Sequence, residues 1–263
     1  MPLDEIARIN QAFWEDEVSQ ATGYTRPWLD LERATVEAYA SGAIAVMPDP
    51  YAYVYPRSVF QRVAGQSVLC LATAGGQQSA VFGLLGANVT VYDLTDAMLA
   101  NDRIAAAAHR YPVRTIQGDM RDLSALGDGE FDLVYQEISL GYVPDPLPVY
   151  REVARVLKPG GLYRVAHCNP AVQSVEPDSW DGQAYRIDRR YRGGQEQNPG
   201  ARSVTFVHLL PAIFSGLVEA GMTIEAVCED PRHLHHPADA EPGSYRHMLT
   251  YVQSYFAIIA RRT

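Results

Sequence analysis

Short apolar runs alternate with helical segments between residues 67 and 168, and this pattern constrains the fold more than any other feature of the chain. The candidate strands are 67–72, 88–93, 113–117, 131–136 and 162–168. Helices are predicted at 77–86, 96–109 and 146–157, and a later helix at 207–220 precedes two further strands at 222–229 and 249–260. Apolar strands separated by helices are typical of βαβ units with a parallel sheet covered on both faces. The sequence therefore predicts an α/β fold.

The segments on either side of this alternating region differ from it. Residues 1–66 show near-helical spacing of apolar side chains, with a second helix expected between Pro27 and Gly42. Residues 169–203 contain three prolines and several glycines, and an irregular segment of that length is usually functional or disordered. We therefore divide the chain into an N-terminal helical cap or lid at 1–66 and a main domain at 67–263 that carries an insertion lid at about 169–203.

Both flanking segments carry large aromatic side chains outside the predicted sheet. Such side chains either pack locally or form a lid that excludes water from a bound ligand. They are Trp14, Tyr24, Trp28, Trp180, Tyr185 and Tyr191.

Charge and composition argue against several classes of partner. The chain has 22 Lys and Arg against 31 Asp and Glu, a net charge of −9, whereas nucleic acids and anionic membranes need a basic face. No window approaches the roughly 18 apolar residues of a membrane span, and the first residues lack the features of a secretory signal. Cys70, Cys168 and Cys228 each lie in an apolar run, so we expect buried free thiols in a cytoplasmic protein.

One group of residues raises the question of a metal. His233, His235 and His236 form an H-x-H-H cluster in a polar, proline-containing segment. No cysteine or carboxylate stands at a diagnostic spacing from them, so we predict no metal site.

Residues able to bind a ligand stand directly after the predicted strands. The first strand is followed by Ala72–Ser79, a small-residue turn that either brings backbone amides close to a ligand or simply forms a tight turn. The second ends at Asp93, which either binds both hydroxyls of a ribose or caps the next helix. The third is followed by Asp119 and Met120, an acceptor and an apolar face that suit an adenine ring. The carboxyl ends of parallel strands meet at one edge, so we expect one site there.

Four motifs with these spacings resemble those of the class I S-adenosylmethionine-dependent methyltransferases. They are VLCLATAGG at the first loop, VTVYD at the second strand, QGDMRDLS at the third, and FDLVYQ followed later by REVARVLKPGGL. The resemblance covers residues 66–168 and implies a Rossmann-like, doubly wound, mostly parallel seven-stranded sheet whose last strand is reversed. The GGQQ form of the first loop resembles a bacterial subgroup of small-molecule methyltransferases.

The resemblance implies S-adenosylmethionine as the cofactor and S-adenosylhomocysteine as its product. Asp93 is implied to hold the ribose, and Asp119 and Met120 the adenine. Gln136, at the end of the fourth strand, is implied to lie near the methionine portion or the substrate. The other implied cofactor contacts are Ala72, Thr73, Ala74, Gly75, Gly76, Leu94 and Met98.

The first loop departs from the family's pattern, in which an acidic residue precedes a Gly-x-Gly-x-Gly run. The corresponding positions here are Cys70, Ala72, Ala74 and Gly76. The acid that normally helps to fix the loop and the cofactor's ammonium group is missing, and the two alanines need either negative φ or mild strain. We expect weakened cofactor binding, without its loss.

Three residues are candidates for the transfer step, since a hydroxyl or acidic carbon acceptor needs a base, whereas an amine or thiolate needs mainly alignment. His167 ends the fifth strand and faces either the ligand or the core. His208 precedes the late helix, in a segment that the resemblance places beside the substrate pocket, and acts either as base or orienter or as a capping or surface residue. Tyr142 either bonds to the substrate or packs.

These features predict a methyltransferase acting on an O, N or C atom of a small molecule, as a monomer or homodimer. One alternative is a cofactor-binding protein of the same fold whose methyl transfer is lost or replaced by a cyclase or isomerase reaction. A second is a nicotinamide-dependent oxidoreductase, against which the lack of an intact G-x-G-x-x-G counts.

Overall fold

The structure, a computed structural model, describes residues 3–196, 200–229 and 240–263. The strands of this part of the chain are β1 Ser67–Leu71, β2 Asn88–Asp93, β3 Val113–Gln117, β4 Phe131–Gln136, β5 Leu157–Cys168, β6 Gly194–Gln195, β7 Phe206–Val207, β8 Met222–Glu229 and β9 Tyr255–Arg262. The helices are α1 Glu5–Ser19, α2 Arg33–Ser41, α3 Gln78–Leu84, α4 Asp96–His109, α5 Leu147–Val156, α6 Leu210–Glu219 and the single turn α7 Tyr245–Met248.

One sheet of seven strands, in the order β3-β2-β1-β4-β5-β9-β8, forms the centre of the molecule. Strands β1 to β5 pair in parallel, and β9 is antiparallel to both β5 and β8. This confirms the predicted Rossmann-like, doubly wound sheet with a reversed last strand. Strand β1 lies between β2 and β4, so the strand order reverses at its end, where ligands of open α/β sheets bind.

Strand β1 contributes to a core layer on each face of the sheet, because its successive side chains point to opposite sides. Val68 and Cys70 pack with residues of α2, α3 and α4, whereas Leu69 and Leu71 pack with residues of α5 and α6. All four side chains are buried. The apolar runs of the sequence are therefore strands covered on both sides, as parallel strands require.

The helix ends follow from local side chains. Asp4 caps α1 by accepting a hydrogen bond from the Ala7 amide at 2.8 Å. Thr95 caps α4 by accepting from the Met98 amide at 3.3 Å. Gly42 ends α2 with a φ of 89°, the left-handed conformation that favours glycine, as the sequence predicts.

Several predicted boundaries are wrong. Strand β5 begins at Leu157 instead of residue 162, and the late helix α6 begins at Leu210 instead of residue 207. Two further differences have a clear tertiary cause. Helix α2 begins at Arg33 instead of close to Pro27, because the Trp28 amide donates to the Gly76 carbonyl at 3.0 Å and ties this segment to the loop after β1. Strand β9 begins at Tyr255 instead of residue 249, because Leu249 is buried beside Met248 in a small separate core. In both places a tertiary contact overrides the local pattern.

The predicted environment of the cysteines is correct for one of the three. Cys70 is completely buried, and burial raises the pKa of its thiol. Cys228 is half-buried, and Cys168 is exposed at the end of β5, where it lines the main cavity. Because the cavity walls enclose it, burial still raises the pKa of Cys168 to about 12, so its thiol is protonated at neutral pH.

No helix of the described residues is long and apolar enough to cross a bilayer. In the same residues no group of three or more His, Cys, Asp or Glu side chains is arranged to hold a metal ion. His233, His235 and His236 lie outside the described residues.

Candidate cofactor and acceptor site

A cavity of about 800 Å³ opens at the carboxyl ends of the parallel strands. This volume is in the range of small-molecule sites. Eight of the predicted cofactor residues line it, namely Ala72, Thr73, Ala74, Asp93, Leu94, Met98, Asp119 and Met120. The switch in strand order and this cavity therefore coincide.

The first loop leaves β1 through a strained alanine. Ala72 has a φ of +45°, and its amide donates to the Tyr92 carbonyl at 2.8 Å. A left-handed conformation costs an L-residue about 1–2 kcal/mol. Ala74 keeps a negative φ. Of the two alanines that replace glycines, Ala72 is therefore strained and Ala74 is not.

Replacement of Ala72 by glycine is expected to stabilise the protein by about 0.5–1 kcal/mol, because relief of the left-handed strain exceeds the entropy that glycine adds to the unfolded chain. Ala74→Gly is the matched control and is expected to destabilise it by about 0.5–1 kcal/mol. Urea unfolding of both variants measures the free energies. Equal losses of stability at the two positions would contradict the assigned conformation of Ala72.

A buried carboxylate that sequence reasoning missed holds the first loop. Asp102 of α4 is completely buried, and its Oδ1 accepts from the Gly76 amide at 2.8 Å and from the Ser79 hydroxyl. Burial raises the pKa of Asp102 to about 7. Asp102 lies three residues after the buried Leu99 and therefore falls on the apolar face of α4. A charged residue on such a face is the sequence feature that could have identified Asp102. An acid from α4 thus fixes the loop in which the usual acid is missing.

The stability that Asp102 confers is expected to fall as the pH rises. Its pKa is about 7 in the folded protein and about 3.9 in an unfolded chain, so the folded state binds more protons between these values. The difference in unfolding free energy between the unsubstituted protein and Asp102→Asn should therefore decrease by about 1.4 kcal/mol per pH unit between about pH 4 and 7. Urea unfolding across this range measures the difference, and a constant value would contradict the protonation of the buried carboxyl.

Gly75 and Gly76 do not line the cavity but allow α4 and the N-terminal segment to approach the loop. A Cβ atom on Gly75 would lie 2.8 Å from the Met98 carbonyl oxygen. Gly76 has a φ of +75°, and its Cβ would lie 2.6 Å from the Pro27 side chain. Both values are shorter than real Cβ contacts, so these glycines serve packing around the loop.

The two glutamines of the GGQQ sequence have different roles. The Gln77 side chain donates to the carbonyls of Gly23 at 3.1 Å and Arg26 at 2.9 Å, which joins the loop to the N-terminal segment. Gln78 Oε1 and Thr73 Oγ1 are buried at the cavity wall without a hydrogen-bond partner among the described residues. Buried polar atoms are rarely left unpaired, so these two mark where a polar ligand group fits.

Asp93 lies at the end of β2 with its carboxylate in the cavity. Its Oδ1 accepts from the Thr95 amide at 2.9 Å and the Thr95 hydroxyl at 3.0 Å. A carboxylate has about four acceptor positions, so further donors such as ribose hydroxyls can bind. Burial raises the pKa of Asp93 to about 6. Thr95 is the helix cap, so the capping alternative for Asp93 is wrong.

The Asp119 carboxylate lines the cavity but is already engaged by arginine. The Arg121 side chain donates from Nε to Oδ1 at 3.0 Å and from Nη2 to Oδ2 at 2.5 Å. Arg121 Nη1 also donates to Asp4 Oδ2 at 2.7 Å, which links the start of α1 to this loop. The proposed contact of Asp119 with adenine must therefore share its oxygens with Arg121, whereas Met120 lines the cavity with an apolar side chain.

Gln136 is completely buried behind the cavity wall and does not line it. Its Nε2 donates to the Ser139 hydroxyl at 2.8 Å, and its Oε1 accepts from the Tyr163 hydroxyl. Ser139 does line the cavity. Gln136 therefore acts on the site through Ser139, and a direct contact with the cofactor's methionine portion is not supported.

His167 belongs to the core, so its placement in the transfer site is wrong. It is 3 % exposed, its Nε2 lies 3.0 Å from the Tyr150 hydroxyl, and its ring stacks on Phe256 at 6.0 Å between centroids. Burial lowers the pKa of His167 to about 3. His167 is neutral and partnered and does not line the main cavity, so it is a structural residue.

His208 and Tyr142 both line the cavity. His208 Nε2 lies 2.9 Å from the Val143 carbonyl oxygen, and because a carbonyl only accepts, this nitrogen carries the proton. Burial lowers the pKa of His208, so the ring is neutral at pH 7 and Nδ1 is the nitrogen able to accept a proton. The Tyr142 ring packs edge-on against Trp14 with centroids 5.5 Å apart.

Helix α1 covers the cavity and is attached by polar side chains. Asn10 is 2 % exposed, donates to the carbonyls of Tyr142 and Val204, and accepts from the Val204 amide. Gln11 donates to the Leu94 carbonyl at 3.1 Å. Asn10 sits on the apolar face of α1, and a polar residue at such a position was the sequence signal for this attachment.

The segment predicted as an insertion lid does line the cavity, but not with its predicted aromatic residues. Pro170, Gln173 and Glu196 line it. Trp180 and Tyr185 instead pack on His247 and Tyr251, with Trp180 and His247 centroids 4.6 Å apart, and Tyr191 is half exposed on the surface. Of the six aromatic residues predicted for a lid, Trp14, Tyr24 and Trp28 line the cavity, and Tyr53 of the N-terminal segment lines it as well.

Comparison with known proteins agrees with this geometry. A family model described as a methyltransferase domain matches residues 69–165. The uncharacterized methyltransferase YbaJ of Bacillus subtilis is 33 % identical over 170 residues, which are 65 % of this chain and 65 % of YbaJ. The match thus spans slightly less than two thirds of that relative's length.

Solved structures share the fold at low sequence identity. An S-adenosylmethionine-dependent methyltransferase from Mesorhizobium loti is 21 % identical with a TM-score of 0.64, over 89 % of this chain and 100 % of that one. The 1,6-didemethyltoxoflavin-N1-methyltransferase of Burkholderia thailandensis, solved with bound 1,6-didemethyltoxoflavin and S-adenosylhomocysteine, is 16 % identical with a TM-score of 0.59, over 100 % of this chain and 92 % of that one. The sheet order, the motifs after β1 to β4 and these matches are all similar to those of the class I S-adenosylmethionine-dependent methyltransferases.

Proposed function

We propose that this chain transfers a methyl group from S-adenosylmethionine to an O, N or C atom of a small molecule. The observation that carries the proposal is the Asp93 carboxylate, which is held by Thr95 at the end of β2 and lies in a cavity of about 800 Å³ beside the first loop. When bound, S-adenosylmethionine supplies an electrophilic methyl group on its sulfonium. The relatives named as methyltransferases favour this reaction over a cyclase, an isomerase or a nicotinamide-dependent oxidoreductase.

The cofactor roles that we propose follow the chemistry of the cavity wall. Asp93 accepts from the ribose hydroxyls, and Leu94, Met98 and Met120 supply apolar contacts to adenine. The first loop, from Ala72 to Ala74, holds the methionine portion together with Gln78. The unpartnered oxygens of Thr73 and Gln78 fit its charged amino acid group, because a hydroxyl can donate to a carboxylate and an amide oxygen can accept from an ammonium group.

For the transfer step we propose His208 as the base when the acceptor is a hydroxyl. Its Nε2 proton is held by the Val143 carbonyl, so Nδ1 takes the proton that the acceptor loses. Tyr142 orients the acceptor. We also propose a cytoplasmic protein that acts as a monomer or homodimer. The GGQQ subgroup and the division into cap, main domain and insertion lid stay predictions.

Formation of S-adenosylhomocysteine tests the reaction. The purified protein is incubated with S-adenosylmethionine and a panel of phenols, amines and carbon acids, and the product is quantified by mass spectrometry. The expected result is acceptor-dependent formation of S-adenosylhomocysteine and a methylated product. Tight binding of the cofactor without product from any acceptor would overturn methyl transfer and favour the repurposed, cofactor-binding alternative.

A further inference from the structure

Residues at one end of the cavity form a group that the proposed cofactor roles do not use. This acceptor end consists of Trp14, Tyr142, Cys168, Glu196, Phe206 and Tyr255. Trp14 contacts Tyr142, and Cys168 pairs with Tyr255 across β5 and β9. Glu196 follows directly on the β6–β7 ladder that contains Phe206. Glu196 and Cys168 line the same cavity.

The walls of the acceptor end suit a planar ring. Trp14 and Tyr142 meet edge to face with 5.5 Å between ring centroids, and Phe206 and Tyr255 line the same cavity. Aromatic side chains prefer stacked or edge-to-face contact with another ring. An aromatic acceptor therefore fits the shape and polarity of this wall better than a flexible polar chain does.

The charge of the acceptor end is negative because Glu196 has no cationic partner among residues 3–196, 200–229 and 240–263. Its Oε2 accepts from the Thr205 hydroxyl, and its amide donates to the Thr205 carbonyl at 2.9 Å. No arginine, lysine or histidine in the described ranges forms an ion pair with it. A carboxylate inside a concave aromatic site favours a cation, because the walls exclude much of the screening solvent.

Apart from Asp93, which the proposed ribose contact uses, the other charged groups at the cavity are neutralised. Glu137 lies 3.0 Å from the buried Arg164 and accepts from the Tyr135 hydroxyl at 2.6 Å. Arg121, the one arginine or lysine among the described lining residues, is engaged by Asp119 and Asp4. Glu17, which lies near Tyr142 outside the cavity, is paired with an exposed arginine of the 200–229 range. The neutral His208 adds no charge, so Glu196 gives the acceptor end its negative charge.

On the basis of the methyltransferase function proposed above, we propose that the acceptor is an aromatic compound with a protonated amine, and that Glu196 binds the amine. The ring lies between the aromatic side chains of the acceptor end. The ammonium group donates to the Glu196 carboxylate, as in other charge-assisted hydrogen bonds. Carboxylate and phosphate acceptors are excluded, because they would meet Glu196 without an available cation.

Three probes of matched shape test this proposal on the protein saturated with S-adenosylhomocysteine. They are tyramine, 4-ethylphenol and 3-(4-hydroxyphenyl)propanoate, which carry a positive, a neutral and a negative end. Titration calorimetry is expected to show that tyramine binds at least about tenfold more tightly than 4-ethylphenol, which corresponds to about 1.4 kcal/mol. The propanoate is expected to bind most weakly.

Glu196→Gln is expected to make tyramine and 4-ethylphenol bind with equal affinity, while the affinity for S-adenosylhomocysteine is unchanged. Glu219→Gln, at an exposed carboxylate paired with Arg151 on the surface, is the control and should keep the tyramine preference. The proposal would be overturned if the unsubstituted protein bound tyramine no more tightly than 4-ethylphenol. It would also be overturned if the unsubstituted protein bound none of the three probes. A tyramine preference that persists in Glu196→Gln would overturn it as well. Failure of S-adenosylhomocysteine itself to bind would instead contradict the proposed function.

Discussion

Replacement of Asp93 by asparagine is expected to weaken the binding of S-adenosylhomocysteine by about 100-fold at pH 7.5. Asparagine has the same shape and still accepts from the Thr95 amide and hydroxyl, so the loop after β2 is retained. It lacks the charge that strengthens hydrogen bonds from two ribose hydroxyls, each worth about 1.5–3 kcal/mol with an ionised acceptor. A loss of about 2.7 kcal/mol corresponds to this factor.

The pH dependence of binding gives a second test of Asp93. Because burial raises the pKa of Asp93 to about 6, the ionised form is lost as the pH falls through this value. The affinity of the unsubstituted protein for S-adenosylhomocysteine should therefore fall below about pH 6, and that of Asp93→Asn should not change there. Asp96→Asn, at a 69 % exposed side chain in the same loop-to-helix turn, serves as the control with unchanged affinity. Equal affinities of all three proteins would refute the ribose role.

Replacement of Arg164 by methionine is expected to destabilise the protein by about 3–5 kcal/mol. The Arg164 side chain is completely buried, donates to the carbonyls of Tyr55 and Gln136 at 3.0 and 3.1 Å, and lies 3.0 Å from Glu137 Oε2. Its guanidinium also lies 4.4 Å from the centre of the Tyr135 ring. Methionine fills much of the volume but leaves the Glu137 carboxylate without its cation in a site that is mostly shielded from water.

Urea unfolding at pH 7 measures this loss. Arg151→Met removes an ion pair whose two side chains are 60 % and 57 % exposed, and it should change the unfolding free energy by less than about 1 kcal/mol. The double variant Arg164→Met with Glu137→Gln should recover part of the stability, because no unpaired charge remains. A loss at Arg164 as small as that at Arg151 would contradict the buried ion pair.

The strands and the edge of the sheet that forms the site were predictable, because they depend on local patterns. The apolar runs that become β1, β2, β3 and β4 match the structure within a residue at each end. Asp93 and Met120 follow directly from strand ends, where topology alone brings them to one edge. The pattern of apolar residues therefore predicted most of the architecture.

The errors concern residues whose environment is decided by distant parts of the chain. His167 ends a strand like a ligand-binding residue, but Tyr150 and Phe256 enclose it in the core. Gln136 is turned toward Tyr163 of the neighbouring strand instead of the cavity. Strand alternation places each side chain on one of the two faces of the sheet. Which face borders the cavity and which the core depends on the elements that pack there.

The same limit applies to the buried polar residues that organise the site. Asp102 and Asn10 lie on apolar helix faces, and their partners are Gly76 and Val204, which are far away in the sequence. A single polar residue on such a face indicates that a partner exists without identifying it. Identification of the partner requires the tertiary structure.

The most direct test of the central claim is a calorimetric titration of the purified protein with S-adenosylhomocysteine, with NADH titrated in parallel. We predict saturable binding of one S-adenosylhomocysteine per chain and no binding of NADH. At about 100 times the dissociation constant, the ligand should also stabilise the fold by about 2.7 kcal/mol. Binding of NADH, or of neither compound, would contradict the assignment of this cavity to the methyltransferase cofactor.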